Sequence, residues 1–178
     1  MLRLFVAIDP PEDARDRLAG LSIGLPGANW VEPDNIHLTL RFIGEVDGAI
    51  ARDVDMALDG VSAPGFDLTL AGVGHFETKG VPRAVWVGVE RNAALAGLQQ
   101  KIESALQRIG LPPEGRRFTP HVTLARLANA PVARVSGFLA DHGLFRLAPF
   151  RVGGFTLFSS HLGRAGASYT PEQVYRLS

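Results

Sequence analysis

One tetrapeptide pattern occurs twice in this chain and constrains its fold more than any other feature. His37-Leu38-Thr39-Leu40 is matched by His121-Val122-Thr123-Leu124, and the two copies lie in different halves of the 178 residues. Both follow a turn that contains proline, and both sit in apolar runs typical of β-strands. Since residues two apart on a strand share a face, each histidine projects beside its threonine, away from the apolar side chains. The repeat therefore predicts two similar lobes whose His and Thr side chains line one cleft.

The remaining pattern mixes short strands with amphipathic helices and predicts an α+β protein with small, mainly antiparallel sheets. No linker divides the chain, so residues 1–178 are expected to form one bilobal domain. The segment 163–170, rich in Gly and Ala, is expected to be a loop. Strands are predicted over 2–8, 36–43, 66–70, 84–89, 121–127, 150–159 and 173–177, and helices over 10–22, 47–60, 92–109 and 131–142.

Charge and composition limit what the cleft is expected to hold. Lys plus Arg and Asp plus Glu balance at 18 each, whereas proteins that hold long nucleic acids by the backbone usually carry a basic excess. Any nucleic-acid contact is therefore expected to be short, such as a strand terminus. The absence of cysteine excludes a disulfide framework, a thiolate zinc site and a cysteine nucleophile. A soluble cytoplasmic protein is expected, because no signal peptide and no membrane-length apolar run is visible.

Two histidines at the beginnings of similar strands suit acid–base chemistry at a phosphate ester. Imidazole titrates near neutral pH, so one copy can accept a proton while the other donates one. In-line displacement at phosphorus needs these groups on opposite sides of the reacting atom, and threonine hydroxyls can stabilise its non-bridging oxygens. The competing interpretation is structural, since a strand histidine is often a hydrogen-bonded core residue and threonine is a good strand former. Because the whole pattern recurs, the sequence favours neither the catalytic nor the structural interpretation over the other.

Other site chemistries find less support in the sequence. No carboxylate or histidine recurs at ligand spacing around either motif, so no metal site is expected. A serine nucleophile would need a Gly-x-Ser-x-Gly elbow, which is missing, and the glycines of 72–74 and 163–166 match neither a P-loop nor a dinucleotide fingerprint. No cofactor is therefore expected. The remaining histidines are interpreted as structural or surface residues: His75, His142 and His161.

The segments around the two motifs indicate a family. Paired His-x-Thr-x motifs are typical of the two-histidine phosphoesterases, and the chain resembles the bacterial and archaeal RNA 2',3'-cyclic phosphodiesterases, also called 2'-5' RNA ligases. The resemblance covers nearly the whole chain. It rests on WVEPDNIHLTLRFIGE at 30–45 and FTPHVTLAR at 118–126, with LFVAI at 4–8, VWVGV at 85–89 and YTP at 169–171. It implies a bilobal fold of two pseudo-symmetric α+β lobes with helices flanking the sheets and a central cleft.

The resemblance also implies an activity. The enzyme would open 2',3'-cyclic phosphates at RNA 3' termini without a metal, leaving a 2'-phosphate, with His121 as base and His37 as acid. Thr39 and Thr123 would hold the phosphate oxygens. Several alternatives stay open: ATP-independent 2'-5' ligation of tRNA halves by the reverse path, a smaller substrate such as a cyclic nucleotide or ADP-ribose derivative, and a binding module without activity. A monomer is expected.

Two arginines are candidate substrate contacts. The family pattern places a phosphate- or nucleotide-contacting arginine at Arg126, although strict alternation from His121 turns this residue to the opposite face. A strand end or a bulge near Leu124 would reconcile the two expectations. The same alternation directs Arg41 toward the cleft, with a solvated charge at the rim as the alternative interpretation.

Aromatic side chains near the motifs are candidates for stacking on a terminal base, an interaction worth ~1–3 kcal/mol per base. Phe118 and Tyr169 are the two candidates. Phe42 and Trp30 are instead expected to pack in the core, because Phe42 shares the alternation of Leu38 and Leu40.

Overall fold

Eight of the ten β-strands join in one antiparallel sheet in the computed structural model, which describes residues 1–178. The strands are β1 (Leu2–Ile8), β2 (Ala28–Trp30), β3 (Leu38–Val46), β4 (Phe66–Leu68), β5 (Leu70–Thr78), β6 (Val81–Val89), β7 (His121–Leu127), β8 (Phe150–Val152), β9 (Gly154–Gly163) and β10 (Gly166–Arg176). The helices are α1 (Glu12–Ala19), α2 (Gly48–Asp59), α3 (Ala93–Arg108) and α4 (Val132–Asp141), and a short 3-10 helix spans Pro33–Asn35. The predicted α+β class is confirmed.

The large sheet divides into two lobes at the contact between β3 and β7. Its order is β10-β9-β1-β3-β7-β6-β5, with β2 also on β7, and β3 meets β7 at the single pair Leu38 and Val122. We call β1, β3, β9 and β10 the His37 lobe, and β2, β5, β6 and β7 the His121 lobe. The His37 lobe combines strands from both ends of the chain, so the lobes do not coincide with the halves of the sequence.

Helices cover one face of this sheet and form the main hydrophobic core with it. In α3 the buried side chains recur at helical spacing, at Leu95, Leu98, Ile102 and Leu106. The helix begins where the Asn92 side chain accepts a hydrogen bond from the backbone N–H of Leu95. A separate small cluster of Phe5, Ala7 and Phe158 lies on the other face of β1 and β9. The core therefore occupies one side of the sheet and leaves the opposite side for the site.

The structure differs from three predictions, one of a loop and two of strands. The loop expected at 163–170 is instead the end of β9, a turn at residues 164–165 and the start of β10, because pairing between β9 and β10 outweighs the weak strand preference of its small residues. The strand expected at 150–159 is two strands, since β8 pairs with β4 in a second sheet while β9 joins the first. The strand expected at 66–70 likewise divides into β4 and the beginning of β5.

The remainder of β5 and the short strand β2 carry no strand pattern in the sequence. Two glycines interrupt β5, and one of them, Gly74, is required by packing. A Cβ at Gly74 would lie 2.3 Å from the Trp86 indole, so only glycine lets this ring lie on β5. No helix combines the length and hydropathy needed to cross a bilayer.

Candidate active site

The two histidine motifs meet where β3 crosses β7. Because the antiparallel pair is Leu38 and Val122, His37 comes next to Thr123, and Thr39 next to His121. Leu38 and Val122 are fully buried in the main core, whereas the four motif side chains are partly exposed on the other face. The crossing thus gathers two imidazoles and two hydroxyls around one point, as the repeat predicts.

Both imidazoles are held by the same backbone contact. Nδ1 of His37 lies 2.6 Å from the Asn35 carbonyl oxygen, and Nδ1 of His121 lies 2.6 Å from that of Thr119. A carbonyl oxygen can only accept, so Nδ1 carries the proton in each ring and donates it. This assignment leaves Nε2 of both rings as the nitrogen available for proton transfer.

Aromatic rings enclose His37. Its ring centroid lies 4.9 Å from Phe5, 5.2 Å from Tyr169 and 6.4 Å from Phe158. Burial lowers the pKa of His37, and the nearby positive charges of Arg126 and His121 lower it further, while the hydrogen bond to Asn35 opposes the shift. In the free protein these effects favour the neutral form of His37.

His121 lies in a different aromatic setting on the second lobe. Phe76 meets its ring edge-on at 4.8 Å, and Trp86 lies 5.9 Å away. The indole Nε1 of Trp86 is buried without a hydrogen-bond partner. The two histidines therefore share their backbone contact and differ in their surroundings.

A β-bulge follows each motif at the same position. On β3, Arg41 pairs with Val6 and Thr39 with Ala7, which leaves Leu40 as the extra residue. On β7, Ala125 pairs with Val85 and Thr123 with Trp86, which leaves Leu124 as the extra residue. Of the two features that would reconcile the expectations for Arg126, the structure has the bulge near Leu124, and its counterpart at Leu40 was not predicted.

The bulges decide which later side chains reach the site. Arg126 returns to the face of His121 and Thr123, is exposed, and its charge acts on His37. Phe42 is its counterpart on β3 and returns to the face of His37 and Thr39. There it is 60% exposed, with its ring 6.1 Å from Phe5, so the expectation that it packs in the core is wrong.

The expectation that Arg41 faces the cleft is also wrong, because the Leu40 bulge turns it into the core. Its Nε donates to Glu103 Oε2 at 2.6 Å, and its other nitrogens donate to the carbonyls of Phe42 and Pro112. Burial alone would raise the pKa of Glu103, but the hydrogen bonds from Arg41, the Glu114 amide and Gln107 hold it below its usual range. This ion pair fastens α3 and the loop after it to β3.

Of the two aromatic residues expected to stack on a base, only one lies beside a motif histidine. Tyr169 lies edge-on to His37, whereas Phe118 packs against the main core and does not join the rings around either histidine. Trp30 packs on the core beside Phe138, as expected. The other histidines contact residues away from the crossing: His75 meets Glu77, His142 meets Phe138 and His161 meets Ser159.

Sequence reasoning missed the rings of Phe5 and Phe158 beside His37, and of Phe76 and Trp86 beside His121. Phe5 lies in a continuously apolar strand, where alternation gives no face, and only its pairing with Phe42 on β3 and Phe158 on β9 places it. Trp86 lies opposite Thr123, and the strongly strand-forming segment around it predicts its element but not its neighbour. No group of three or more His, Asp or Glu side chains is arranged to hold a metal ion.

Most of the chain matches a known protein family. Residues 10–164 match the model of the 2'-5' RNA ligase superfamily. The chain belongs to this superfamily. Its curated relatives include proteins named RNA 2',3'-cyclic phosphodiesterase, which confirms the resemblance seen in the two motif segments. The relative from Methanothermobacter thermautotrophicus is 31% identical over 186 residues and covers 99% of both chains. The relative from Escherichia coli is 31% identical over 181 residues, or 99% of this chain and 97% of that one.

Solved structures of superfamily members agree with the fold. Escherichia coli LigT in complex with 3'-AMP matches with a TM-score of 0.84 and 30% identity, over 99% of this chain and 98% of that one. A Thermus thermophilus protein matches with a TM-score of 0.81 and 27% identity, over 98% and 97%. The expected bilobal architecture is therefore confirmed over nearly the full length.

Proposed function

We propose that this superfamily member hydrolyses RNA ends carrying a 2',3'-cyclic phosphate, leaving a 2'-phosphate and a free 3'-hydroxyl, without a metal ion. The single observation that carries the proposal is the motif crossing, which sets His37 and Thr39 of one lobe against Thr123 and His121 of the other. Relatives named RNA 2',3'-cyclic phosphodiesterase support the substrate class. A binding module would need neither of the two titrating groups.

The reaction is an in-line displacement at phosphorus. A water oxygen forms the new bond to phosphorus as the bond to the 3'-oxygen breaks. Nε2 of His121 accepts the water proton, and the Nε2–H of His37 donates a proton to the departing 3'-oxygen. Both histidines end in the opposite protonation state, and exchange with solvent restores them for the next turnover.

The burial of His37 fits the role of acid. Because its surroundings disfavour the charged ring, a protonated His37 gives up its proton readily once the 3'-oxygen begins to carry negative charge. An anionic phosphate between the histidines favours the protonated form and so loads the ring before the reaction. With His37 as the acid, in-line displacement leaves His121, on the other side of phosphorus, as the base.

The remaining groups of the site would bind and orient the cyclic phosphate. The hydroxyls of Thr39 and Thr123 would donate to its non-bridging oxygens, and the Arg126 guanidinium would balance their charge. Tyr169 and the exposed Phe42 offer rings on which a terminal base can stack. A monomeric state and a cytoplasmic location stay predictions.

Ligation is the second candidate, favoured by the description of the matching family model. The same two histidines would serve it in the same roles: a 5'-hydroxyl would give its proton to His121 and attack the cyclic phosphate in place of water, and His37 would protonate the departing 3'-oxygen. By microscopic reversibility their roles would be exchanged only when the 2'-5' linkage is cleaved. A joined 2'-5' product from nicked tRNA halves, without ATP, would establish this activity beside hydrolysis.

The proposal is tested by incubating a short RNA that ends in a 2',3'-cyclic phosphate with the protein in EDTA and identifying the product ends. The expected product is a 2'-phosphate, formed by the wild type and by the control His75→Ala, and lost in His37→Ala and in His121→Ala. A 3'-phosphate product, or full rates in both motif variants, would overturn the proposed mechanism.

A further inference from the structure

A cavity of about 440 Å³ lies on the His37 lobe and takes no part in the mechanism above. It is lined by the end of β1, by β8, by the beginning of β9 and by the end of β10. Its lining includes the side chains of Asp9, Arg151, Thr156, Val174 and Arg176. Its volume falls in the range of pockets that bind small molecules, about 300–1,000 Å³.

Strand pairing places this cavity on the same face of the sheet as the histidines. Thr39 pairs with Ala7, Ala7 with Thr156, and Thr156 with Val174. Directly paired residues of antiparallel strands share a face, so this row runs from the motif threonine to the cavity. Two strand spacings separate Thr39 from Thr156, or about 10 Å. One or two nucleotides of an extended strand can bridge that distance.

The cavity presents two guanidinium groups that make no strong interaction within the protein. Arg151 lies 3.6 Å from Asp67, and both side chains are more than half exposed, with 65% and 69% accessible. Arg176 makes no ion pair within the chain and is exposed. Exposed ion pairs contribute little to stability, so a phosphate can replace Asp67 as the partner of Arg151 at little cost. A planar guanidinium also suits a phosphate better than an ammonium group does.

Asp9 supplies a hydrogen-bond group at the β1 end of the same cavity. Burial raises the pKa of this carboxyl, although Arg15 at 3.9 Å opposes the shift. A carboxylate at this place accepts a hydrogen bond from a sugar hydroxyl while the two arginines face the phosphate. One cavity therefore combines partners for both parts of a ribose phosphate.

We propose that this cavity is a second substrate subsite, in which Arg151 and Arg176 bind a phosphodiester of the RNA strand upstream of the cyclic terminus. The inference rests on the proposed function and extends it to substrate length. It makes an oligonucleotide end a better substrate than a cyclic mononucleotide. The neutral overall charge of the chain agrees with such a short, local contact.

The test compares kcat/KM for a 2',3'-cyclic mononucleotide with that for a trinucleotide bearing the same terminus. The wild type is expected to prefer the trinucleotide by about tenfold or more, the size of one charge-assisted phosphate contact. Arg151→Gln with Arg176→Gln should abolish most of this preference and leave the rate on the mononucleotide unchanged. The matched control is Arg108→Gln, an exposed arginine at the end of α3, which should keep the preference.

Binding of the two products, a 2'-phosphorylated trinucleotide and mononucleotide, separates failure of the subsite from failure of the proposed function. Selective trinucleotide binding that needs both arginines, without turnover of either cyclic substrate, would support the subsite and overturn the proposed hydrolysis. Turnover of both substrates at equal kcat/KM, or a preference that survives in the double variant, would overturn the subsite alone.

Discussion

The two sides of the crossing have the same backbone and different surroundings. Each histidine donates Nδ1–H to a carbonyl two residues before it, at 2.6 Å on both sides. Each motif ends in a bulge at its last leucine, Leu40 or Leu124, and the second residue after the bulge returns to the site. The repeated backbone thus leaves one imidazole Nε2 available on each lobe, the arrangement on which the proposed proton transfers rest.

The side chains around this shared backbone differ between the two lobes, and the difference suggests a different role for each lobe in substrate binding. At the position after the bulge that faces the site, β3 carries Phe42 and β7 carries Arg126. Three aromatic rings lie near His37, and the side-chain amide of Asn35, two residues before it, donates to the Ala167 carbonyl on β10. The surface proposed to stack on a base therefore lies on the His37 lobe, and the arginine proposed to meet the phosphate lies on the His121 lobe.

The largest expected effect comes from removing either proton-transfer group. His37→Ala and His121→Ala should each lower kcat by about 10²–10⁴-fold, the usual contribution of a positioned acid or base. Because both act in one displacement, the double variant should be only slightly slower than the slower single variant. Steady-state kinetics of the four proteins checks this. Losses that multiply in the double variant would mean that the histidines act in separate steps.

The next largest effect tests the difference between Arg126 and Phe42, which occupy equivalent positions after the two bulges. Arg126→Ala should lower kcat/KM by about 10²-fold, because it removes a charge that faces the developing phosphate charge. Phe42→Ala should cost about tenfold, mainly in KM, because it removes only a stacking surface. Equal losses in kcat for both variants would contradict the division of roles between the lobes.

The buried ion pair behind β3 should affect stability more than chemistry. Glu103→Gln leaves the Arg41 guanidinium buried without its counter-charge, so the free energy of unfolding should fall by about 3 kcal/mol. Urea unfolding of the variant measures this loss. The exposed pair partner Glu90 provides the control, since Glu90→Gln should leave the unfolding midpoint nearly unchanged. A stable Glu103→Gln protein would contradict the role given to the pair.

The smallest effect is a shift in pH dependence. As the acid, His37 acts in its protonated form, whose population falls as the pH rises through its pKa. Since burial lowers this pKa, the limb of the kcat/KM profile that His37 sets should lie below the ordinary value for histidine, 6.5. Tyr169→Ala hydrates the ring and should move this limb toward higher pH. The matched variant Phe76→Ala, beside His121, should leave the limb in place. A limb that moves only in Phe76→Ala would assign it to the other lobe.

The sequence predicted correctly that the His and Thr side chains of each motif share a face, because a strand period of two fixes which side chains do. The same rule failed for Arg41 and Phe42, since an extra residue at Leu40 inverts the alternation and no local pattern announces it. The family pattern at Arg126 was the only signal for the corresponding bulge on β7. The loop expected at 163–170 failed for another reason, because strand pairing with β9 is a long-range contact that composition does not encode.

The division of labour between the histidines is tested most directly with a cyclic substrate whose 3'-bridging oxygen is replaced by sulfur. A thiolate leaves without a proton, so loss of the general acid should matter little for this substrate while loss of the general base should matter fully. His37→Ala should therefore approach the wild-type rate on the sulfur substrate, whereas His121→Ala should stay slow. Rescue of His121→Ala instead of His37→Ala would contradict the assignment and exchange the roles of the two lobes.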